Sequence, residues 1–177
     1  IEYSVRSFNL EEAKKQIKTR PDLLSVEEIY TVAESYGKGT ADYEEALRIA
    51  AATYPKNAAA VVNAACLKME GRDVQGAIAM LEASEVKEDG RVLNALGVAY
   101  AKQKQYDRAK AVLEQAVQAG SREARTNLEQ VAGVVADLEE RKNRYIKRIF
   151  FTNTLNYEVK QIFYAGFGRI GIRGMWE

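Results

Sequence analysis

The chain has 177 residues, 47% of them apolar and 29% charged, with only two prolines, a profile that suits one helix-rich globular domain and excludes a disordered chain. A formal net charge of +1 conceals an asymmetry: residues 1–140 carry 18 basic and 23 acidic side chains, and residues 141–177 carry 8 and 2. The lack of histidine excludes Ser-His-Asp and Cys-His nucleophile systems and removes the commonest zinc ligand, and the single cysteine, Cys66, excludes an intrachain disulfide and a thiolate cluster.

In chain order, Ile1–Phe8 alternates apolar and polar residues as a strand does, and Asn9–Thr19 reads as a helix, giving an N-terminal strand-and-helix segment over residues 1–24. The start at Ile1 without a methionine reads as a processed or trimmed chain. Asn9 with Glu12 and Ser25 with Glu28 have the spacing of capping boxes, and Ser121 opens a further helix. Between residues 25 and 120 lie three helix pairs. In the first, Ile29, Val32, Ala33 and Tyr36 precede Tyr43, Ala46 and Ala50, with Pro55 as a break. In the second, Asn63, Ala64 and Leu67 precede Gly71, then Val74, Ala77 and Leu81, across a turn that reads one residue longer than in the third pair. The third is the clearest: Leu93, Leu96, Gly97 and Tyr100, a polar turn at Lys102–Gln105, then Tyr106, Ala109, Leu113 and Ala116. Leu93, Leu96 and Tyr100 fall on one helical stripe, and the small Gly97, Ala109 and Ala116 permit close backbone approach. Ala46, Ala77 and Ala109 are 31 and 32 residues apart, a period proper to a helical repeat.

Residues 121–148 read as a capping helix with a stripe of Leu128, Val131, Val135 and Leu138. Residues 149–177 form a basic tail rich in aromatics, including Phe150, Phe151, Tyr157, Phe163, Tyr164, Phe167 and Trp176. They read as two strand runs around a turn at Thr152–Asn156, compatible with a β-hairpin. A G-x-G-x-x-G spacing at Gly166, Gly168 and Gly171 has only six residues after it, too few for the helix whose N-terminus would hold a pyrophosphate, so no cofactor is expected. No recognition motif accompanies the basic tail, so specific nucleic-acid binding is not expected, and self-association through the tail is. No stretch approaches the roughly 18 apolar residues of a membrane span. The paired carboxylates Glu11-Glu12, Glu27-Glu28, Glu44-Glu45 and Glu139-Glu140 point in different directions on a helix, so neither a catalytic residue nor a metal ligand is assigned.

The 90–121 unit resembles the tetratricopeptide pattern W-x2-L-G-x2-Y followed by an aromatic and A-x3-F-x2-A, with Leu93 in the tryptophan place and Leu113 in the phenylalanine place. The resemblance implies an all-α, right-handed superhelical stack of about three such pairs with a C-terminal capping helix, to which the strand-like termini are added. It also implies a non-enzymatic scaffold holding a peptide or partner protein in a concave groove. The groove positions are then Tyr30 and Glu34, Val61, Lys68 and Met69, and Arg91, Asn94, Val98 and Lys102, a mixture suited to a peptide with apolar and acidic groups. Of the set that clamps a C-terminal carboxylate in one subfamily, only Arg91 is matched, and Tyr30, Glu34, Val62 and Ala95 depart from it. The run from Tyr3 to Tyr36, with Ile17-Lys-Thr-Arg-Pro and Leu24-Ser-Val-Glu-Glu-Ile, resembles the segment that joins envelope and repeat regions in OmpA-associated outer-membrane proteins of gut bacteria. That likeness, over residues 1–140, implies a periplasmic or outer-membrane-associated role in envelope assembly, or a spacer segment of a larger protein; a cytoplasmic setting is the alternative.

Overall fold

The computed structural model describes residues 8–167, in which every regular element is helical. Two compact units divide at Ala132/Gly133, inside the last helix. The first unit opens with α1 (Leu10–Thr19), whose Ala13 and Ile17 are buried where it packs on α2 (Val26–Tyr36). The Asn9 side chain accepts the Glu12 backbone N–H at 3.2 Å, while the Glu12 carboxylate accepts from Gln16 rather than closing a box. A 3₁₀ turn at Pro21–Leu23 leads to the buried Leu24, whose carbonyl accepts the hydroxyl of Tyr54.

Three antiparallel pairs follow: α2 with α3 (Ala41–Thr53), α4 (Ala58–Glu70) with α5 (Val74–Glu82), and α6 (Gly90–Lys102) with α7 (Tyr106–Gln118). Their first helices start in strict register. Ser25, Asn57, Asp89 and Ser121 recur every 32 residues, and each side chain accepts a backbone N–H of the first turn, from Glu28, Ala60, Arg91 and Ala124 respectively. Ser25 and Glu28 close a full capping box. Such a cap contributes about 1 kcal/mol to its helix. The ends of α4, α6 and α7 share one closure. The N–H groups of Asp73, Gln105 and Ser121 donate back to the carbonyls of Lys68, Tyr100 and Ala116 at 2.8–3.0 Å, and the residue before each donor is left-handed: Arg72 (φ 66°), Lys104 (φ 59°) and Gly120 (φ 89°).

The period locates the extra residue that the sequence spacing assigns to the second pair. The α4–α5 and α6–α7 turns are both three residues long, whereas Gly37–Thr40 makes the α2–α3 turn four. Counted from the caps, the buried positions align as Ile29, Val61 and Leu93, then Val32, Ala64 and Leu96, then Ala33, Ala65 and Gly97. The third set is the close-approach point. A Cβ built on Gly97 would lie 2.5 Å from Cγ of Leu113, itself fully buried on α7. The third pair is also tied to the second: the Tyr100 hydroxyl donates to the Glu82 carboxylate, and the Arg108 guanidinium stacks 4.3 Å from the Tyr100 ring while reaching Glu82 at 3.4 Å.

The last helix, α8 (Arg122–Phe167), begins as the expected cap, with Ala124 and Val131 buried and the Asn127 amide donating to Asn94 at 2.8 Å. Val135 is half-buried and Leu138 is 46% exposed, so the buried part of the capping stripe ends near the unit boundary. In the second unit the expected strands and turn are replaced by the same helix: residues 149–167, including Thr152–Asn156, are helical. Extending an existing helix needs no new nucleus, so the segment follows the helix before it although the β-branched and aromatic residues that suggested strands have poor helix propensity. The strand expected at Ile1–Phe8, apart from Phe8, and the tail from Gly168 onward, with Gly168 and Gly171 of the glycine motif, lie outside the described residues.

Gly97→Ala improves local helix propensity but forces a methyl group into Leu113, so a net loss of roughly 1–3 kcal/mol is expected in urea unfolding. Lys104→Gly relieves a left-handed side-chain penalty of about 1 kcal/mol and should raise the same midpoint; a fall would show that the turn is held by the lysine instead.

Candidate partner-binding face

The first helices α4 and α6 pack directly on each other, whereas α2 and α4 meet far less, as do the second helices α3, α5 and α7 among themselves. In a stack of this kind the exposed side of the first helices α2, α4 and α6 is the candidate inner face. On each, the buried positions named above face the core, and the residues beside them form a partly exposed stripe. Tyr30, Val62 and Asn94 share one register; Glu34, Cys66 and Val98 share the next, one turn on; Met69 and Ala101 follow on α4 and α6, with Glu70 and Lys102 beside them.

Six of the nine expected residues, Tyr30, Glu34, Met69, Asn94, Val98 and Lys102, fall on this stripe, and Arg91 lies at its near end. Val61 does not belong to it. It is 4% exposed because it occupies the register of Ile29 and Leu93, and Val62 takes the surface place beside it. Lys68 is shifted in the same way. It occupies the register of Tyr36 and Tyr100, and its ammonium reaches Asp73 at 3.1 Å across the α4–α5 turn.

The electrostatics narrow the expected preference for acidic groups. Arg91 is held by Asp89 in a two-toothed contact of 2.9 and 3.0 Å, which keeps the Asp89 carboxyl below its ordinary range through the Arg91 hydrogen bonds. The Lys68 hydrogen bond, then that from the Gly76 backbone N–H, lowers Asp73 likewise. Among the described residues Lys102 takes part in none of the ion pairs, and it lies close enough to Cys66 to act on it. Burial, aided by Glu70 and opposed by Lys102, pushes the Cys66 thiol up, so it stays protonated and poorly nucleophilic at neutral pH.

Two amides sharpen the floor. The hydroxyl of Tyr30 is buried with no hydrogen-bond partner, and Asn63 approaches it without the geometry of a bond; burial, the larger influence, raises the phenol's pKa and Asn63 acts against it. The corresponding step between α6 and α8 is closed, by the Asn127–Asn94 bond. Asn63 and Asn127 share a register, as do Tyr30 and Asn94, so one polar cross-link recurs between first helices, once made and once open. Neither asparagine, nor Val62, Cys66 and Ala101, is among the residues expected from the sequence. The 32-residue cap spacing is the signal that reveals them.

No group of three or more acidic, cysteine or histidine side chains able to hold a metal occurs among the described residues. No family model matches the sequence, and no curated protein matches it. Among solved structures, that titled "Crystal structure of MamA", a tetratricopeptide-like helical repeat protein, is similar with a TM-score of 0.56 at 19% identity, over 88% of this chain and 90% of that one. At that identity the likeness speaks for the fold, and the chain has the fold of a tetratricopeptide-type helical repeat protein.

Proposed function

We propose that this chain is a non-enzymatic interaction scaffold that holds an extended segment of a partner protein along α2, α4 and α6. The observation that carries the reading is the half-buried, uncovered stripe of Val62, Cys66, Met69, Val98 and Ala101, flanked by the amides Asn63 and Asn94. Apolar side chains that are neither buried nor fully hydrated can still release water when a partner covers them, at about 25 cal/mol per Å². With Arg91 and Lys68 engaged by Asp89 and Asp73, the ligand that fits is mainly apolar with one acidic group placed at Lys102. Glu27 and Glu34 disfavour further acidic groups at the α2 end.

The resemblance of residues 1–140 to OmpA-associated proteins supports placing this scaffold in envelope assembly. No helix among the described residues is long and apolar enough to cross a membrane. The same likeness supports the second reading, a spacer segment within a larger envelope protein, which requires no groove ligand at all.

Selection of random displayed peptides on the intact chain separates the two readings. The scaffold predicts enriched apolar sequences with an acidic residue, whose binding to a Val98→Asp/Lys102→Glu variant falls at least about tenfold, or 1.4 kcal/mol, with the helical circular dichroism unchanged. A Glu114→Lys change on α7 should leave binding intact. Failure to enrich any peptide, or equal loss with the α7 variant, counts against a groove ligand.

A further inference from the structure

The second unit carries the most exposed large apolar side chains among the described residues, Phe150 at 74%, Phe151 at 68%, Tyr145 at 66% and Tyr157 at 65%, of which Tyr145 lies on the stripe described next. Residues Ile149–Tyr157 comprise one isoleucine, two phenylalanines, two threonines, two asparagines, one leucine and one tyrosine, of which only leucine is a strong helix former. A helix of that composition without tertiary packing is marginal in water, because most helical stability comes from burying one face. The helical state of this segment calls for a partner.

The stripe that seats α8 on the repeats indicates which. Leu128, Val131, Val135, Leu138, Lys142, Tyr145, Ile149, Thr152, Asn156 and Val159 follow one another at alternating steps of three and four residues, a heptad seam with Leu128 at the first core position. Its beginning is already an interface, Val131 being 6% exposed, and its continuation stands open, with Leu138 at 46%, Ile149 at 42% and Val159 at 51%. Lys142, Thr152 and Asn156 are the polar members, three of the eight core positions between 135 and 159, and they weaken the seam while restricting its register. Asn156 falls at an a position, where one asparagine fixes register, and the Lys142 ammonium turns out of the seam toward Glu139 at 3.9 Å. Flanking charges are compatible with a parallel pair in register. The g-to-e′ contacts are Val134 with Glu139, Arg141 with Ile146 and Arg148 with Asn153, none of them like-charged. A lipid surface fits less well, because it needs one apolar face and one basic face, and Phe151 shares the far side of the helix with Arg144 and Lys147.

We infer that residues 135–159 of α8 pair with the same segment of a second copy as a parallel, two-stranded coiled coil. The inference does not rest on the groove reading, since its seam is separate from α2, α4 and α6.

Sedimentation equilibrium of the full chain tests it directly, with twice the chain mass expected. A Tyr145→Glu/Ile149→Glu variant should sediment as a monomer, and Phe151→Glu, off the seam, should remain dimeric. In a Cys66→Ala background, mild oxidation should join two copies through Tyr145→Cys and not through Phe151→Cys. The Val98→Asp/Lys102→Glu groove variant should stay dimeric. A monomeric intact chain overturns the proposal, as does a monomer that cosediments with phosphatidylserine vesicles, a dimer that survives the seam variant, or cross-linking at position 151 in place of 145.

Discussion

The close approach of α6 and α7 at Gly97, in the register that Ala33 and Ala65 fill as small buried residues, is the constraint on which the repeat unit depends. A helix pair of this length cannot bury both of its apolar faces by itself, so each pair leaves a face that the next must cover. Only a small residue at that point lets two backbones come close enough for Leu113 to fill the space between them. Stacking then fixes which side of each first helix is used up in the core, and by subtraction which side remains for a partner. On the proposed reading, the groove residues are thus a consequence of core packing.

The same constraint explains what could be read from the sequence. The third pair was legible in detail because Leu93, Leu96, Gly97, Tyr100, Ala109 and Leu113 carry both the helical period and the small-residue spacing. The second was legible as a pair but slipped by one residue at Val61 and Lys68. Ala46 stands 21 residues after its cap Ser25, whereas Ala77 and Ala109 stand 20 after Asn57 and Asp89, so the longer first turn shortens the Ala46–Ala77 spacing without any chemical mark of its own. The caps keep better time, because a side chain that must accept a first-turn N–H has only one position in which to do it. The helical course of residues 149–167 was the least legible. Local preference there points to strands, and the helix reflects the segment that precedes it.

Charge was legible as composition but not as availability. Arg91 and Lys68 look like groove cations in the sequence, yet the turn aspartates Asp89 and Asp73 hold them. What remains on the inner side is an apolar, amide-flanked strip with Lys102 as the basic group outside these ion pairs, and a buried Tyr30 hydroxyl facing Asn63. On the proposed scaffold reading, such a face suits a ligand chosen by shape and apolar contact, with charge setting its direction.

The most direct test of the account is hydrogen-exchange mass spectrometry of the chain with and without a peptide selected on it. Exchange should slow on binding in α4 and α6, around Val62–Met69 and Asn94–Lys102, with α3, α5 and α7 little changed. Slowing confined to those second helices, or to α8 beyond Ala132, would contradict the assignment of the inner face as the binding surface.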